Sequence, residues 1–387
     1  MNPLPVSLNM LIKNCFAIKV PFFIGGDLWN PMTTFAAKDT VYVFVETESG
    51  ECGVGEVWPA YGSADSIAFI INNDIAPLVL GEDSADINTI RNRVYTLSPL
   101  GGVANLLMNA ISGLDIALWD LKGKLSGSPL CQLLGAHAKS VYTYASGGLY
   151  GKNKGLPELA AETSSYTDKG FDAVKIKIGG MPIADDVERV ATVREAIGSD
   201  ARLMVDAVHA YTVEAALEVA EKIKPFDIYW FESPVALDDM KGHGILNTQS
   251  GIPVCANESL SNIHQFEHLL SHNGATFVHF DLSTCGGISE AIKIAALAES
   301  EGLNCTIHAA SGVNLYSASL HFASSISNLD SVERHFIHHW LSDYQPEILP
   351  SQGPYASPSS KPGIGTPFIT KTFIEKLARD ERAKAAL

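Results

Sequence analysis

Three acidic side chains recur along the middle of the sequence at equal spacing. Asp206, Glu232 and Glu258 each end a short apolar run, and each lies 26 residues from the next. If these runs are parallel strands of one sheet, the three carboxylates meet at one edge, where they would repel one another without a cation. Ligands that are all oxygen suit a hard divalent ion, so the spacing predicts a Mg²⁺ site before a Zn²⁺ site. The alternative is that each carboxylate caps the following helix or pairs with a basic residue.

Two lysines lie in the segment AVKIKI at residues 173–178. Side chains alternate along a strand, so Lys175 and Lys177 are predicted to point into the fold while the three aliphatic residues face a helical layer. Buried ammonium groups need compensation, and we expect a lysine beside another cation and a metal to have a lowered pKa and to act as a general base. The alternative is an edge strand with solvated lysines, which would put the three aliphatic side chains inside.

Three further polar residues end the later runs. Asp281 and His308 close two successive runs, so the carboxylate is expected to hold one imidazole nitrogen and make the other an acid or base. Glu333 ends the last run and is predicted to close the ring as a hydrogen-bonding carboxyl group. Taken alone, a histidine such as His308 is more often a satisfied core residue, and the alternative for Glu333 is a surface residue beside Arg334.

Eight short apolar or β-branched runs alternate with helical stretches after about residue 135. Most are followed by enough chain for a crossover helix, which indicates a parallel sheet, and the number favours a closed (β/α)8 barrel over an open doubly wound sheet. No GxGxxG follows the first run, which weakens a Rossmann interpretation. The runs are residues 142–146, 173–178, 201–206, 228–232, 253–258, 277–281, 304–308 and 331–336.

The residues before the barrel have a different pattern. Residues 40–47 and 51–57 indicate an antiparallel hairpin, and the apolar spacing over residues 104–124 predicts an amphipathic helix. We therefore expect an α+β capping domain at 1–130, with a specificity loop at about 20–40 in which Gly25 and Gly26 allow motion. The barrel is assigned to 131–350, and the segment 351–387 is expected to pack back on the capping domain.

The composition limits the class of protein. The chain has 387 residues, 46% hydrophobic and 18% charged, which is typical of a globular protein with a sizeable core. Its 27 basic and 43 acidic residues give a net charge of −16, which disfavours nucleic acids and anionic membranes as partners. Six scattered cysteines and no recognisable signal or membrane segment predict a cytoplasmic protein.

The ordered motifs ALWDLKGK (117–124), LLGA (133–136), KIK, VDA, FESP, ANES and DLSTCGGISEA (281–291), with the late His and Glu, resemble the enolase superfamily and within it the mandelate racemase subgroup. The resemblance covers nearly the whole chain. It implies Mg²⁺ on Asp206, Glu232 and Glu258. It also implies that Lys177 is the base on one face of the substrate α-carbon and that Lys175 holds the carboxylate. His308, supported by Asp281, is implied on the opposite face, and Glu333 is implied to hydrogen-bond the enediolate or carboxylate. Self-association is common in such proteins and is expected here.

The sequence departs from the family pattern at two places. Val208, followed by His209, stands where many members have Asn two residues after the first metal ligand, and Asn257 stands where Gly often precedes the third. Neither change removes a ligand, but the substrate contact usually made by that Asn is in doubt.

The resemblance implies that a small carboxylate substrate loses its α-proton through an enediolate. Dehydration of a sugar acid to a 2-keto-3-deoxy acid is favoured, with racemisation or epimerisation as the alternative. A metal-dependent hydrolase barrel is disfavoured because the first run, YTYAS, lacks an H-x-H pair. A non-catalytic metal-binding barrel would not need the paired lysines or the Asp–His pair.

Overall fold

The computed structural model describes residues 10–60, 62–98, 102, 104–136, 138–338, 340–349 and 352–385. The chain begins with an antiparallel sheet whose second and third strands form the hairpin expected from the sequence. The first strand also pairs with a two-residue strand, β5, that follows the first barrel strand. The strands of this sheet are β1 (Ile12–Asn30), β2 (Thr33–Thr47), β3 (Cys52–Val57) and β5 (Tyr150–Gly151).

Helices cover one face of this sheet, and the predicted amphipathic helix is the longest of them. It lies so close to β3 that a Cβ added at Gly55 would come within 2.0 Å of the backbone oxygen of Gly113, so both strand and helix need small residues there. The helices are α1 (Ala64–Phe69), a π-helical segment (Ile70–Ile75), α2 (Ala76–Val79), α3 (Ile87–Tyr95), α4 (Asn105–Ser126) and α5 (Leu130–Leu133).

Eight parallel strands then close into a barrel, because the last strand pairs with the first. The fold class predicted from the sequence, a (β/α)8 barrel with an α+β capping domain, is confirmed. The strands are β4 (Val141–Ser146), β6 (Ala173–Lys177), β7 (Arg202–Asp206), β8 (Ile228–Glu232), β9 (Val254–Ala256), β10 (Phe277–Asp281), β11 (Asn304–His308) and β12 (Leu329–His335).

Helices surround the barrel, and their packing against the outward strand residues forms the largest hydrophobic cluster of the described chain. None of the described helices has the length and apolar character needed to cross a membrane. The helices are α6 (Leu156–Asp168), α7 (Ile183–Ile197), α8 (Val213–Ile223), α9 (Met240–Gln249), α10 (Ile263–Ser271), α11 (Gly287–Ser300) and α12 (Val313–Ala323), with 3₁₀ turns at Lys224–Phe226, Ser342–Tyr344 and Pro346–Ile348.

The strand alternation sorts the barrel side chains as predicted. Val174 and Ile176 belong to the outer hydrophobic cluster, whereas Lys175 and Lys177 face the interior. One end of the interior is filled by a separate apolar layer that includes Tyr144 and Trp230. The polar residues therefore gather at the other end, where the strands finish.

Two local expectations are wrong. Glu258 does not end its strand, because β9 stops at Ala256 and the glutamate lies two residues further on. The segment at about 20–40 is not a loop either: β1 and β2 extend through it, with a register shift between Phe23 and Leu28 that accommodates Gly25 and Gly26. The bulge uses positive φ angles at both glycines, 105° and 79°.

The C-terminal chain contacts both parts of the molecule. Strand β13 (Tyr355–Ala356) pairs antiparallel with β4 of the barrel. The backbone nitrogen of Ile364 then donates to Asp120 Oδ1 of α4 over 2.7 Å. Helix α13 (Lys371–Ala385) lies against β1, where Glu381 accepts a hydrogen bond of 3.1 Å from the backbone nitrogen of Phe23.

Candidate active site

The three acidic residues at positions 206, 232 and 258 lie at the polar end of the barrel and are almost fully buried, with exposed fractions of 2%, 0% and 4%. Asp206 and Glu232 are direct neighbours on paired strands. Glu258 reaches the same region from the turn after β9 and accepts a 2.6 Å hydrogen bond from the Ser233 hydroxyl. The structure thus brings together the residues expected to bind a metal, although only two of them end strands.

Both lysines form ion pairs with this acidic group. Lys177 Nζ donates to Asp206 Oδ2. Lys175 Nζ lies 2.6 Å from Glu232 Oε1, 3.1 Å from Glu333 Oε1 and 3.8 Å from Asp206 Oδ2. Carboxylates therefore neutralise the charges of both inward lysines, and this offsets the electrostatic cost of burying them.

The Asp281–His308 pair completes the cluster. Imidazole Nδ1 lies 2.6 Å from Asp281 Oδ2, and Nε2 lies 3.4 Å from Glu333 Oε2. A neutral imidazole that donates from Nδ1 presents Nε2 as its acceptor. Polar contacts consequently run without a break from Asp206 through Lys175, Glu333 and His308 to Asp281.

The lowered pKa expected for Lys177 concerns a site with a bound cation, and among the protein groups alone its pKa moves in the other direction. Burial lowers the pKa of the ammonium group, but the adjacent Asp206 carboxylate reverses the effect and raises it above the usual value. Asp206 is the carboxylate nearest to Lys177, and its negative charge outweighs the repulsion from the Lys175 ammonium group. Burial would raise the pKa of Glu333, yet Lys175 and His308 hold it well below its usual range, so Glu333 is an acceptor here.

His209, whose role could not be predicted from the sequence, contacts the third acidic residue. Its Nε2 lies 3.4 Å from Glu258 Oε1, and its Nδ1 lies 3.0 Å from the Val235 carbonyl oxygen. Val208 and His209 both have positive φ angles, 47° and 62°, which are rare for such residues and mark a backbone held by its surroundings. The departure from the family pattern therefore places an imidazole against the third acidic residue.

Sequence reasoning missed two inward histidines of the barrel. His279 lies two residues before Asp281, and its Nε2 is 3.5 Å from Glu232 Oε1. His335 lies two residues after Glu333, and its ring centroid is 3.9 Å from that of His338. Strand alternation was the available signal, because residues two apart share a face.

Two residues of the capping domain were also missed. Lys38 is 8% exposed and donates to the carbonyl oxygen of Ala310, two residues after His308. Glu56 is fully buried and accepts hydrogen bonds from the backbone nitrogens of Gly312 and Leu315 over 2.5 and 2.9 Å. The capping domain therefore holds the loop that follows β11.

The donor set fits a hard divalent cation. Three buried carboxylates provide only oxygen atoms, and Glu232 Oε2 is buried with no hydrogen-bond partner among the described residues. An ion is the natural partner for such an atom. A second group, Glu232, Cys255 and His279, has ligand atoms within 4.8 Å of one another, but it shares Glu232 and includes a thiol, a softer ligand than Mg²⁺ prefers.

Comparisons with known proteins agree with this architecture. Residues 158–370 match the family model of the enolase C-terminal domain-like fold, and residues 24–135 match that of the mandelate racemase / muconate lactonizing enzyme N-terminal domain. The chain belongs to the enolase superfamily, and within it to the mandelate racemase / muconate lactonizing enzyme group.

Three similar proteins illustrate the range of this family. Arabinonate dehydratase of Saccharolobus solfataricus is 31% identical over 91% of this chain and 92% of its own. L-talarate/galactarate dehydratase of Salmonella typhimurium is 33% identical over 70% of this chain and 68% of its own. The crystal structure of a racemase from Streptomyces coelicolor A3(2) with bound magnesium superposes with a TM-score of 0.86 at 27% identity, covering 95% of this chain and 99% of that one.

Proposed function

We propose that this enzyme removes the α-proton of a carboxylate substrate with the help of Mg²⁺, and that its principal reaction is dehydration of a sugar acid to a 2-keto-3-deoxy acid. The observation that carries the proposal is the unbroken series of contacts that joins the two lysines, two carboxylates of the acidic trio and the Asp281–His308 pair; its members are Lys177, Asp206, Lys175, Glu232, Glu333, His308 and Asp281. A purely structural site needs neither a second lysine nor an oriented imidazole.

Mg²⁺ held by Asp206, Glu232 and Glu258 would supply fixed positive charge where the substrate carboxylate gains negative charge. With the charge of Asp206 offset by the bound cation, Lys177 would be favoured as a neutral amine, which receives the α-proton on one face of the substrate, and Lys175 holds the carboxylate by charge. The carbon–hydrogen electron pair becomes the enediolate of the substrate.

His308 acts from the other side of the substrate. For dehydration His308 acts as the imidazolium, with a proton on each nitrogen. Its Nε2–H protonates the departing 3-hydroxyl, the bond between C3 and oxygen breaks, water leaves, and the neutral imidazole remains. The enol that remains tautomerises to the 2-keto acid. Asp281 keeps Nδ1 engaged throughout, so that only Nε2 exchanges a proton with the substrate.

A second function, racemisation or epimerisation, uses the same groups. If the enediolate is reprotonated at the α-carbon by the opposite base, the product has inverted configuration. The presence of both Lys177 and His308 in one cluster favours this candidate, as does the similarity to a racemase structure. The similarity to two sugar acid dehydratases supports dehydration as the principal reaction.

A library of sugar acids, assayed with Mg²⁺, distinguishes dehydration from racemisation or epimerisation. We expect at least one acid with 2- and 3-hydroxyls to form a 2-keto-3-deoxy product, detected as its semicarbazone. Formation of no keto product, together with α-deuterium uptake and inversion in a carboxylate that lacks a 3-hydroxyl, would replace dehydration by epimerisation. Mg²⁺ binding without deuterium exchange on any acid would leave only the non-catalytic barrel.

The remaining proposals concern the state of the protein in the cell. We infer a cytoplasmic location, which the six free cysteines support, and we expect the chain to self-associate. Neither nucleic acid nor membrane is expected as a partner, because the net charge is −16. Sedimentation analysis of the purified protein measures the oligomeric state.

A further inference from the structure

Lys38 is the unusual cation of this region, because it is buried without a carboxylate partner among the described residues. Lys175 pairs with Glu232 and Glu333, and Lys177 pairs with Asp206. The hydrogen bond found for Lys38 Nζ goes to a neutral acceptor, the carbonyl oxygen of Ala310. An ammonium group has three donors, so further acceptors are required to offset its burial.

The position of Lys38 connects it to the reacting groups. Its Nζ lies 5.4 Å from the centroid of the Trp58 ring, and that ring lies 4.7 Å from the ring of His308. Strand β2 presents Lys38 on the same face as Tyr42 and Phe44, which pack towards the barrel. The lysine thus enters from the capping domain, whereas Lys175 enters from a barrel strand.

A cavity of about 590 Å³ adjoins this lysine. Lys38 and Trp58 both line it, together with Phe35 and Met32 of the hairpin. Its size suits a small organic acid. Trp58 lines the cavity on one side and lies 4.7 Å from the His308 ring on the other, so this residue separates the cavity from the reacting groups by a single side chain.

We propose that Lys38 binds a second carboxylate at the far end of the substrate, so that the preferred substrates are polyhydroxylated dicarboxylic acids. A hydroxyl at that position would leave the buried charge uncompensated, whereas a carboxylate neutralises it with a charge-assisted hydrogen bond. Burial lowers the pKa of Lys38 to about 7, and a carboxylate bound beside it would favour the charged form. This inference rests on the proposed function and specifies its substrate class.

Matched pairs of acids test the inference. Galactarate and galactonate share four stereocentres and differ only in whether the sixth carbon is a carboxylate, and shorter pairs of aldaric and aldonic acids extend the series. Affinity is measured by calorimetry in saturating Mg²⁺, and kcat/KM is measured for any pair that reacts. For the wild-type protein we expect the best-bound pair to favour its diacid by about tenfold or more.

The variant Lys38→Met should lose this preference while binding the monoacid about as well as before. Lys19→Met is the matched control, since Lys19 lies on β1, which pairs with the strand of Lys38, but forms ion pairs with Asp39 and Asp65 near the surface. That control should retain the preference. The melting temperature of Lys38→Met should not fall, because a methionine buries no uncompensated charge.

Two results would overturn the inference: a wild-type protein that binds no diacid better than its monoacid, or a Lys38→Met protein that keeps the full preference. A melting temperature that falls while both acids weaken equally would assign Lys38 to holding the Ala310 loop instead. Failure of the proposed function has a different signature, because binding with the predicted preference but no turnover or deuterium exchange of any acid contradicts only the catalytic proposal.

Discussion

The imidazole of His308 is fixed by one carboxylate, Asp281, whose Oδ2 lies 2.6 Å from Nδ1. The other oxygen of this carboxylate, Oδ1, accepts hydrogen bonds from the backbone nitrogen and the hydroxyl of Ser283, each 2.7 Å long. Both carboxylate oxygens therefore have hydrogen-bond partners, and these contacts oppose rotation of the Asp281 side chain away from the imidazole ring. The arrangement sets which nitrogen of His308 faces Glu333 and the substrate space.

Asp281→Asn is expected to remove this control. The amide can present its NH₂ group to Nδ1 and so favour the wrong tautomer, and we expect kcat to fall by roughly 10²- to 10⁴-fold, the range of a general acid–base contribution. Ser283→Ala, which keeps the carboxylate, is the control and should lose far less. Steady-state kinetics on an identified substrate measures both, and an unchanged kcat in Asp281→Asn would contradict the role.

Lys177→Ala and His308→Asn separate the two faces of the substrate. Each should abolish overall turnover, because each removes one of the two proton-transferring groups. If a single base performs the first step, the variant that retains that base can still exchange the substrate α-proton with D₂O, as followed by proton NMR. Wild-type turnover in both variants would show that the two-base mechanism is wrong.

Removal of any one carboxylate from the acidic trio is expected to weaken Mg²⁺ binding. Asp206→Asn, Glu232→Gln and Glu258→Gln each replace a charged oxygen ligand by an amide, a poorer ligand for a hard cation, and turnover should be lost while the fold persists. Calorimetric titration with Mg²⁺ measures the affinity, and circular dichroism measures the fold. Glu218→Gln, an exposed substitution on α8, is the control. Unchanged affinity in all three variants would disprove the metal assignment.

His321 is expected to make the protein sensitive to acid. Burial lowers the pKa of this histidine to about 4, although the Ile364 carbonyl oxygen opposes the shift. Its Nδ1 accepts from the backbone nitrogen of Cys131 and its Nε2 lies 3.1 Å from the Ile364 oxygen, so the neutral ring joins α5, α12 and the C-terminal chain.

Because the folded pKa is below the unfolded value of 6.5, the contribution is complete above pH 6.5 and declines as the pH falls towards 4. The difference between the two pKa values corresponds to about 3 kcal/mol of unfolding free energy. Denaturant titrations at pH 7 and pH 4.5 should show a smaller loss in His321→Gln than in the wild-type protein. Equal losses would mean that another group carries the acid sensitivity.

Several elements of the site could be predicted from the sequence because they follow strand periodicity. Lys175 and Lys177 alternate with aliphatic residues, and Asp206, Glu232, Asp281 and His308 each end a strand, so their common location follows once a closed barrel is assumed. The same rule, applied further, would have found His279 and His335. These inferences need only the two-residue period and the fact that parallel strands finish at one end of the barrel.

The sequence by itself determined the barrel, the capping sheet and the convergence of the acidic and basic residues, since these depend on periodicity and strand order. Only the tertiary structure decided how individual charges pair. It set Asp206 against Lys177 and so reversed the expected pKa shift, and it brought His209 to Glu258 through an unusual backbone turn. It also brought Lys38 of β2 into contact with Ala310 in the loop after His308, although the two residues are 272 positions apart in the sequence. The Lys38 contact depends on how the capping domain packs on the barrel, and the two contacts within the barrel depend on side-chain and turn conformations. Local periodicity encodes neither.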